Sequence, residues 1–445
     1  MRRVIGILSV LTSVLTGITA CAAEPDAGPQ TMTEPVDILN TVAIPIEDAR
    51  DLDLLIERAG ERDLVLLGEA SHGTSEFYTW RTEISRRLIE EKGFNFIAVE
   101  GDWATLYRLN RYVKGLDGAG PSARAIMREF DRWPPWMWAN EEVEDLIEWL
   151  REFNAERPPE ARVGFYGMDV YGPETSYRKV LTLIEEWNDE PAEQVREAYA
   201  CLEAYADDFG LYARAVAFGM APCDRQVRAV VELLRDHRDA LEIPEMEYFN
   251  LKQNAWVVKN AEKHFRAMGR ESPDSWNYRV DHFFQTVERL RNHYGPDAKG
   301  VAWAHNTHIG DARATSMAPR GQRNIGQIAR EQMGPDRVFA VGFGTHRGTV
   351  MAGRSWGGPR ERMTVPPGIP DSYEDIMHRL GEDQVLLMLD DLGEPGPLLR
   401  PIGHRAMGVI YHPERERGNY VPTILPRRYN AFIFIDETQA VRPIH

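Results

Sequence analysis

Five short apolar runs, far apart along the chain, each stop abruptly at polar or titratable residues. Leu64-Val65-Leu66-Leu67 runs into Gly68-Glu69-Ala70-Ser71-His72-Gly73, and Phe94 to Val99 runs into Glu100-Gly101-Asp102-Trp103. Arg162 to Tyr166 ends at Gly167-Met168-Asp169, and Lys299 to Ala304 ends at His305-Asn306-Thr307-His308. Arg337 to Val341 ends near Thr345-His346. Short apolar runs bounded by turn residues read as strands buried on both faces of a parallel sheet. The pattern therefore predicts an α/β fold with a mostly parallel central sheet flanked by helices. In such sheets the carboxyl ends of the strands form the ligand crevice, so the residues after each run are expected to converge there.

The segments between the runs fit this reading. Thr74 or Ser75 is placed to cap a helix reaching about Glu91 and ended by Lys92-Gly93. On that helix Phe77, Ile84 and Leu88 mark an apolar stripe with Arg81 inside it, and a guanidinium there needs an acidic partner. Residues 176–295 change to long helices with little strand character, which reads as an all-helical subdomain inserted between strands. Further strands are expected near Val385 to Leu389, Met407 to Tyr411 and Ala431 to Ile435, with a Gly/Pro-rich loop from Gly353 to Gly368. A chain of 445 residues is long enough to carry both units.

The first residues look like a processing signal: Arg2-Arg3, then an apolar stretch from Val4 to about Ile18 that is too short to span a bilayer. Ile18-Thr19-Ala20-Cys21 has the form of a lipoprotein cleavage site, with Cys21 as a lipid anchor. Cleavage near Ala22 or Ala23 without lipidation is the alternative, and either leaves an exported chain in the periplasm or cell envelope. Residues 1–22 are accordingly assigned to the signal, 23–45 to a flexible tether and 46–445 to the folded domain. In an oxidising compartment Cys201 and Cys223 can meet across a helical hairpin, or stay as two buried thiols. A formal net charge of −17 argues against nucleic acid as a partner.

Glu69, His72, Arg81, Glu100, His305 and His308 form the candidate catalytic constellation. Carboxylates beside imidazoles fix their tautomer and raise their basicity, which a general base requires. Asp169 and Asp311 read as structural, and His346 and His404 have weaker context. Trp103 and the dense aromatic loop with Trp133, Trp136 and Trp138 are candidates for an apolar substrate wall. Gly353-Arg354-Ser355-Trp356-Gly357 has the spacing of a nucleophile elbow but lacks the flanking helix. Glu69, His72, His305 and His308 are also metal-ligand types, yet no helical His-Glu-x-x-His spacing is present and no metal or cofactor is expected.

Three of these stretches, Gly68 to Phe77 with Arg81, Ala98 to Trp103 and Trp303 to His308, together with Met407 to Tyr411, Tyr429 to Phe432 and Ile435 to Thr438, resemble the erythromycin esterase family. That resemblance implies hydrolysis of a macrolide lactone or another bulky ester without a required metal. It also implies His72 as the base that activates water, supported by Glu69, Arg81, Glu100, His305 and His308. A non-catalytic envelope protein that uses the fold for binding is the competing class.

Overall fold

The structure, a computed structural model, describes residues 34–444 apart from 187–188, 239–240, 242 and 269–271. The signal, the Cys21 anchor and the first part of the tether lie outside the described residues.

Eleven strands are described: β1 (Ala43–Pro45), β2 (Leu64–Leu67), β3 (Phe96–Asp102), β4 (Gly164–Asp169), β5 (Gly300–Trp303), β6 (Val338–Gly353), β7 (Arg360–Val365), β8 (Gln384–Leu387), β9 (Ile402–Arg405), β10 (Tyr420–Thr423) and β11 (Ala431–Thr438). The main sheet runs β1-β8-β11-β6-β2-β5-β3-β4, with β7 paired to β6; β9 and β10 form a separate ribbon. From β11 through to β4 every pairing is parallel, while β1 and β8 add an antiparallel edge. The sheet is thus mostly parallel, as the apolar runs predict.

Both faces of the sheet are covered, which is why the central strands carry no polar alternation. Val65, Leu67, Ile97, Val99 and Trp303 point into one apolar cluster, under the helices Ser75–Lys92 and Glu141–Ala155. Leu64, Leu66, Phe96, Ala98 and Ala302 point into another, which takes Val280, Phe283 and Val287 from the helix Asp274–Tyr294. Between β4 and β5 the described chain is helical, and much of it packs about a third cluster of its own, with Val180, Tyr199, Tyr212, Val230 and Val258. Cys201 and Cys223 are joined there as a disulfide, with Cα atoms 6.1 Å apart.

Three expectations need correction. Residues 35–45 are not tether: Pro35–Asn40 is a helix with Ile38 and Leu39 buried, and β1 pairs with β8, so the folded domain begins before Ile46. The stretch from Gly353 to Gly368 contains β7, which turns back on an unusually long β6 as a hairpin. Met407 to Tyr411 is not a strand; it makes isolated bridges, Met407 to Ser71 and Ile410 to Gly353, and packs Met407 and Tyr411 against Val350, Ala352, Met363 and Val365 of the β6–β7 hairpin. The Ser355 sequence sits in the exposed turn of the β6–β7 hairpin, so it lacks the strand–turn–helix geometry of a nucleophile elbow.

Candidate active site

The loop after β2 is held in place by close backbone packing. A Cβ on Gly73 would sit 1.9 Å from the carbonyl oxygen of Met351 in β6, and one on Gly68 would sit 2.1 Å from Asn306 Oδ1. Glycine is required at both positions by proximity rather than by a left-handed turn. Thr74 occupies the N-cap of the helix Ser75–Lys92, though its hydroxyl bonds Ser71 Oγ instead of the helix backbone, and Gly93 ends that helix at φ 70°.

The loop delivers Glu69 and His72 as a pair. Nδ1–H of His72 donates to Glu69 Oε1 at 2.8 Å, because a carboxylate can only accept. Arg81 Nη2 donates to the other oxygen, Oε2, at 2.7 Å. Arg81 is fully buried, donates to Phe77 O, and lies over the rings of Tyr78 and Trp303. The acidic partner that its place in the apolar stripe demands is therefore Glu69. Arg81 stands behind the carboxylate and orients it. His72 keeps Nε2 as its free nitrogen, on a ring that lines a cavity of about 400 Å3.

Glu100, at the end of β3, is engaged on both oxygens. Oε2 accepts the backbone N–H of His305 at 2.9 Å; Oε1 lies 2.8 Å from Arg279 Nη2 and 3.2 Å from His308 Nε2. The rings of His72 and His305 are 5.1 Å apart. Residues separated by more than two hundred positions thus meet at the carboxyl ends of β2, β5 and β3, which are neighbours in the sheet.

Electrostatics separates the three histidines. Burial alone would push His72 down, but Glu100 and Glu69 outweigh it and hold its pKa above the ordinary imidazole value of 6.5. His305 is held well below that value by burial and by His72, against the pull of Glu100. Its Nε2–H donates to Ala70 O at 3.2 Å, while Nδ1 accepts from Thr307, so both nitrogens are occupied in the neutral form. His308 is lowered by burial against the Glu100 carboxylate, and its ring stacks on Trp276 at 4.5 Å. Burial would raise Glu100, yet His308, His72 and Arg279 together hold it well below the usual carboxylate range.

The sequence model of the erythromycin esterase family matches residues 89–438. The chain belongs to that family. An erythromycin esterase type II from Escherichia coli is 26% identical over 143 residues, an alignment spanning 32% of this chain and 32% of that relative. Among solved structures, a succinoglycan biosynthesis protein is 19% identical with a TM-score of 0.76, covering 94% of this chain and 100% of that one. A protein from Bacillus cereus is 21% identical with a TM-score of 0.77, covering 92% and 98% respectively. A mutant of the erythromycin esterase EreC in its open conformation is 16% identical with a TM-score of 0.64, covering 89% and 96%. At these identities the solved structures establish the shared fold.

Within this erythromycin esterase fold, two residues left out of the candidate constellation belong to the site. Arg279, on the helix Asp274–Tyr294, is clamped by Asp169 through Nε at 2.9 Å and Nη2 at 2.6 Å, and reaches Glu100 with the same Nη2. Burial opposes its charge, but Asp169, Tyr171 and Glu100 hold its pKa well above the ordinary guanidinium value. Asp169, read from sequence as structural, thus positions an arginine that enters the cluster from the helical side. The cue was available, since Arg279 lies between Trp276 and Phe283 at helical spacing, just as Arg81 lies inside its own stripe. Asp311 pairs with Arg313 and Arg330 elsewhere. His404 is buried against Glu374.

The aromatic wall is built by other residues than those expected. Trp103 is fully buried and stacked between Tyr107 and Tyr166, with its Nε1–H donated to Asn250; it belongs to the core. Trp136 is core as well, and Trp138 donates to the backbone oxygen of Glu100 from behind the site. Trp133 backs Trp356 at 4.7 Å between ring centres, and it is Trp356, with Trp276 and Tyr171, that lines the cavity. The side chains at the start and end of that loop could not be sorted by composition, because an aromatic run looks the same whether it plugs a core or faces a ligand.

His346 does not join the cluster. It stacks on His378 at 4.0 Å beside Asp436, one of two places among the described residues where three metal-ligand types converge. The other is Glu69, His72 and Glu100, whose ligand atoms lie within 4.8 Å of one another. This set differs from the sequence expectation in excluding His305 and His308. Both carboxylates in it already hold an arginine, Arg81 on Glu69 and Arg279 on Glu100.

Proposed function

We propose that the protein hydrolyses a carboxylic ester or macrolide lactone with His72 as general base. The observation that carries this reading is the Arg81–Glu69–His72 chain, which presents one imidazole nitrogen to the cavity and commits the other to a carboxylate. His72 Nε2 takes a proton from water as the water attacks the ester carbonyl, with no covalent enzyme intermediate. The raised pKa of His72 makes it a stronger base than a free imidazole.

The developing oxyanion is stabilised by Arg279. Three of its donors are committed to Asp169 and Glu100, and Nη1 lies 3.2 Å from His308 Nε2 at the cavity wall. One Nη1 hydrogen remains free to meet charge that forms in the transition state. Once protonated, His72 can return the proton to the leaving alkoxide. The cavity is near the lower end of the range of about 300–1,000 Å3 for small-molecule sites, and its Trp276, Tyr171 and Trp356 surfaces suit an apolar acyl or alcohol portion.

The test is a panel of macrolides and simple aryl esters incubated with the purified protein, read as a mass gain of one water, with and without chelator. Hydrolysis that persists in chelator supports this mechanism. Loss of hydrolysis in chelator transfers the role of Glu69, His72 and Glu100 to metal ligation, and no hydrolysis across the panel favours a binding protein.

We further propose that the chain is exported. Its support is the signal-like stretch from Arg2 to Cys21 and the Cys201–Cys223 disulfide, a bond that persists in oxidising compartments. Mass analysis of the mature N-terminus distinguishes lipidated Cys21 from cleavage near Ala22, and an intact Met1 refutes export by this route.

A further inference from the structure

A second cavity, of about 630 Å3, lies wholly within the helical region, between the helices Asp224–Asp236, Glu245–Met268 and Asp274–Tyr294. Its lining contradicts the acidic character of the chain, with seven lysines and arginines against three carboxylates among the described residues. Lys252, Trp256, Lys259 and Lys263 recur at helical spacing and so form one face of the middle helix.

Two of the three acids are held by partners of their own. Asp224 pairs with Arg228 at 3.3 Å, and Glu262 pairs with Arg266 at 2.8 Å while accepting the Tyr212 hydroxyl. Arg289, on the third helix, receives only neutral partners: Nε donates to Gln253 Oε1 at 2.6 Å and Nη2 to Thr286 Oγ1 at 3.0 Å. No carboxylate among the described residues ion-pairs with it. The guanidinium lies 4.9 Å from the ring centre of Trp256, and Lys259 Nζ lies 4.1 Å from the same centre. Two cations therefore share one indole in a part-buried cleft.

Such an arrangement is costly. Burial pushes Arg289 down to about 9. Burial, with Arg228, Arg289 and Lys263, pushes Lys259 down to about 8, and Glu232 acts only weakly against them. His282, buried on the same helix as Arg289, is held well below its usual value, first by burial and then by Arg289 and Lys259, so it stays neutral. Buried charge is ordinarily compensated by a partner of opposite sign, and for this group of cations that is an anion.

We propose that this cleft binds a phosphate-bearing ligand, whose oxygens accept from Arg289 Nη1 and Lys259 Nζ while its body rests against Trp256. Guanidinium and ammonium donors to phosphate form short, charge-assisted bonds. The site shares no lining residue with the ester cavity and does not depend on the hydrolytic reading.

The test uses the full chain at roughly 0.15 M salt, where exposed charges are screened beyond about 8 Å. Inorganic pyrophosphate and, separately, phosphatidylglycerol vesicles are titrated in by calorimetry. Saturable binding is expected, weakened at least about tenfold in Arg289→Met and in Lys259→Gln, but not in Arg225→Gln, which removes an exposed charge outside the cleft; one good charge-assisted bond is worth at least this much. Arg289→Met should fold with unchanged or higher thermal stability in the absence of anion. Binding of pyrophosphate identifies a soluble ligand, and binding of vesicles alone identifies a lipid headgroup. No saturable binding of either probe, or equal weakening in Arg225→Gln, overturns the proposal.

Discussion

Asp169 holds Arg279 by two near-parallel hydrogen bonds of 2.9 and 2.6 Å, joining the end of β4 to a helix more than a hundred residues further along the chain. This bidentate grip fixes the plane of the guanidinium and leaves its remaining donors aimed at Glu100, His308 and the cavity. Lysine offers a point charge and no fork, so Arg279→Lys should fold yet lose about 10²–10³-fold in kcat with a smaller change in KM. Asp169→Asn should show a milder version of the same split. Wild-type kcat in Arg279→Lys removes the guanidinium from the mechanism.

Replacing His72 by Ala removes the nitrogen that meets water. Ester turnover should fall by about 10²–10⁴-fold while the circular dichroism spectrum and melting temperature stay close to wild type, since the ring faces a cavity. Retained turnover would falsify the assignment of His72 as base.

The pH profile follows from the upward shift of His72. Only the neutral ring can accept a proton, so kcat/KM falls as pH drops through the His72 pKa of the free enzyme. Because that pKa is raised, the acid limb is expected above 6.5. Glu69→Gln removes one of the two carboxylates that raise it and should move the limb to lower pH, with a reduced plateau. A limb at or below 6.5, or one unmoved in Glu69→Gln, contradicts this account.

The disulfide closes a loop between residues 22 apart. Converting both Cys201 and Cys223 to serine should cost about 3 kcal/mol of stability in the helical region. The β2 loop and the Glu100 cluster lie outside that region's apolar cluster, so kcat at moderate temperature should be retained. Chemical denaturation with parallel activity measurement separates the two effects.

Strand positions and the convergence of Glu69, His72, Glu100 and His305 were legible because each strand announces itself by its apolar run and each site residue follows a strand. What stayed hidden belongs to long-range packing. Arg279 sits in mid-helix, far from any strand end; its place between Trp276 and Phe283 marks it as facing inward, but nothing local marks Asp169 as its partner. Trp103 follows a strand like the residues that converge at the cavity, but it begins a helix whose first turn folds back into the core. β1 was missed because three residues ending in Pro45 gain order only by pairing with β8, more than three hundred positions away.

The helical region carries its own apolar centre, while the helix bearing Trp276 and Arg279 packs instead with the sheet. Drift in the former can remodel the outer flank without disturbing the groups that move protons. No residue of that apolar centre lines the ester cavity, so such drift leaves the proton-moving groups and their aromatic surroundings alike in place.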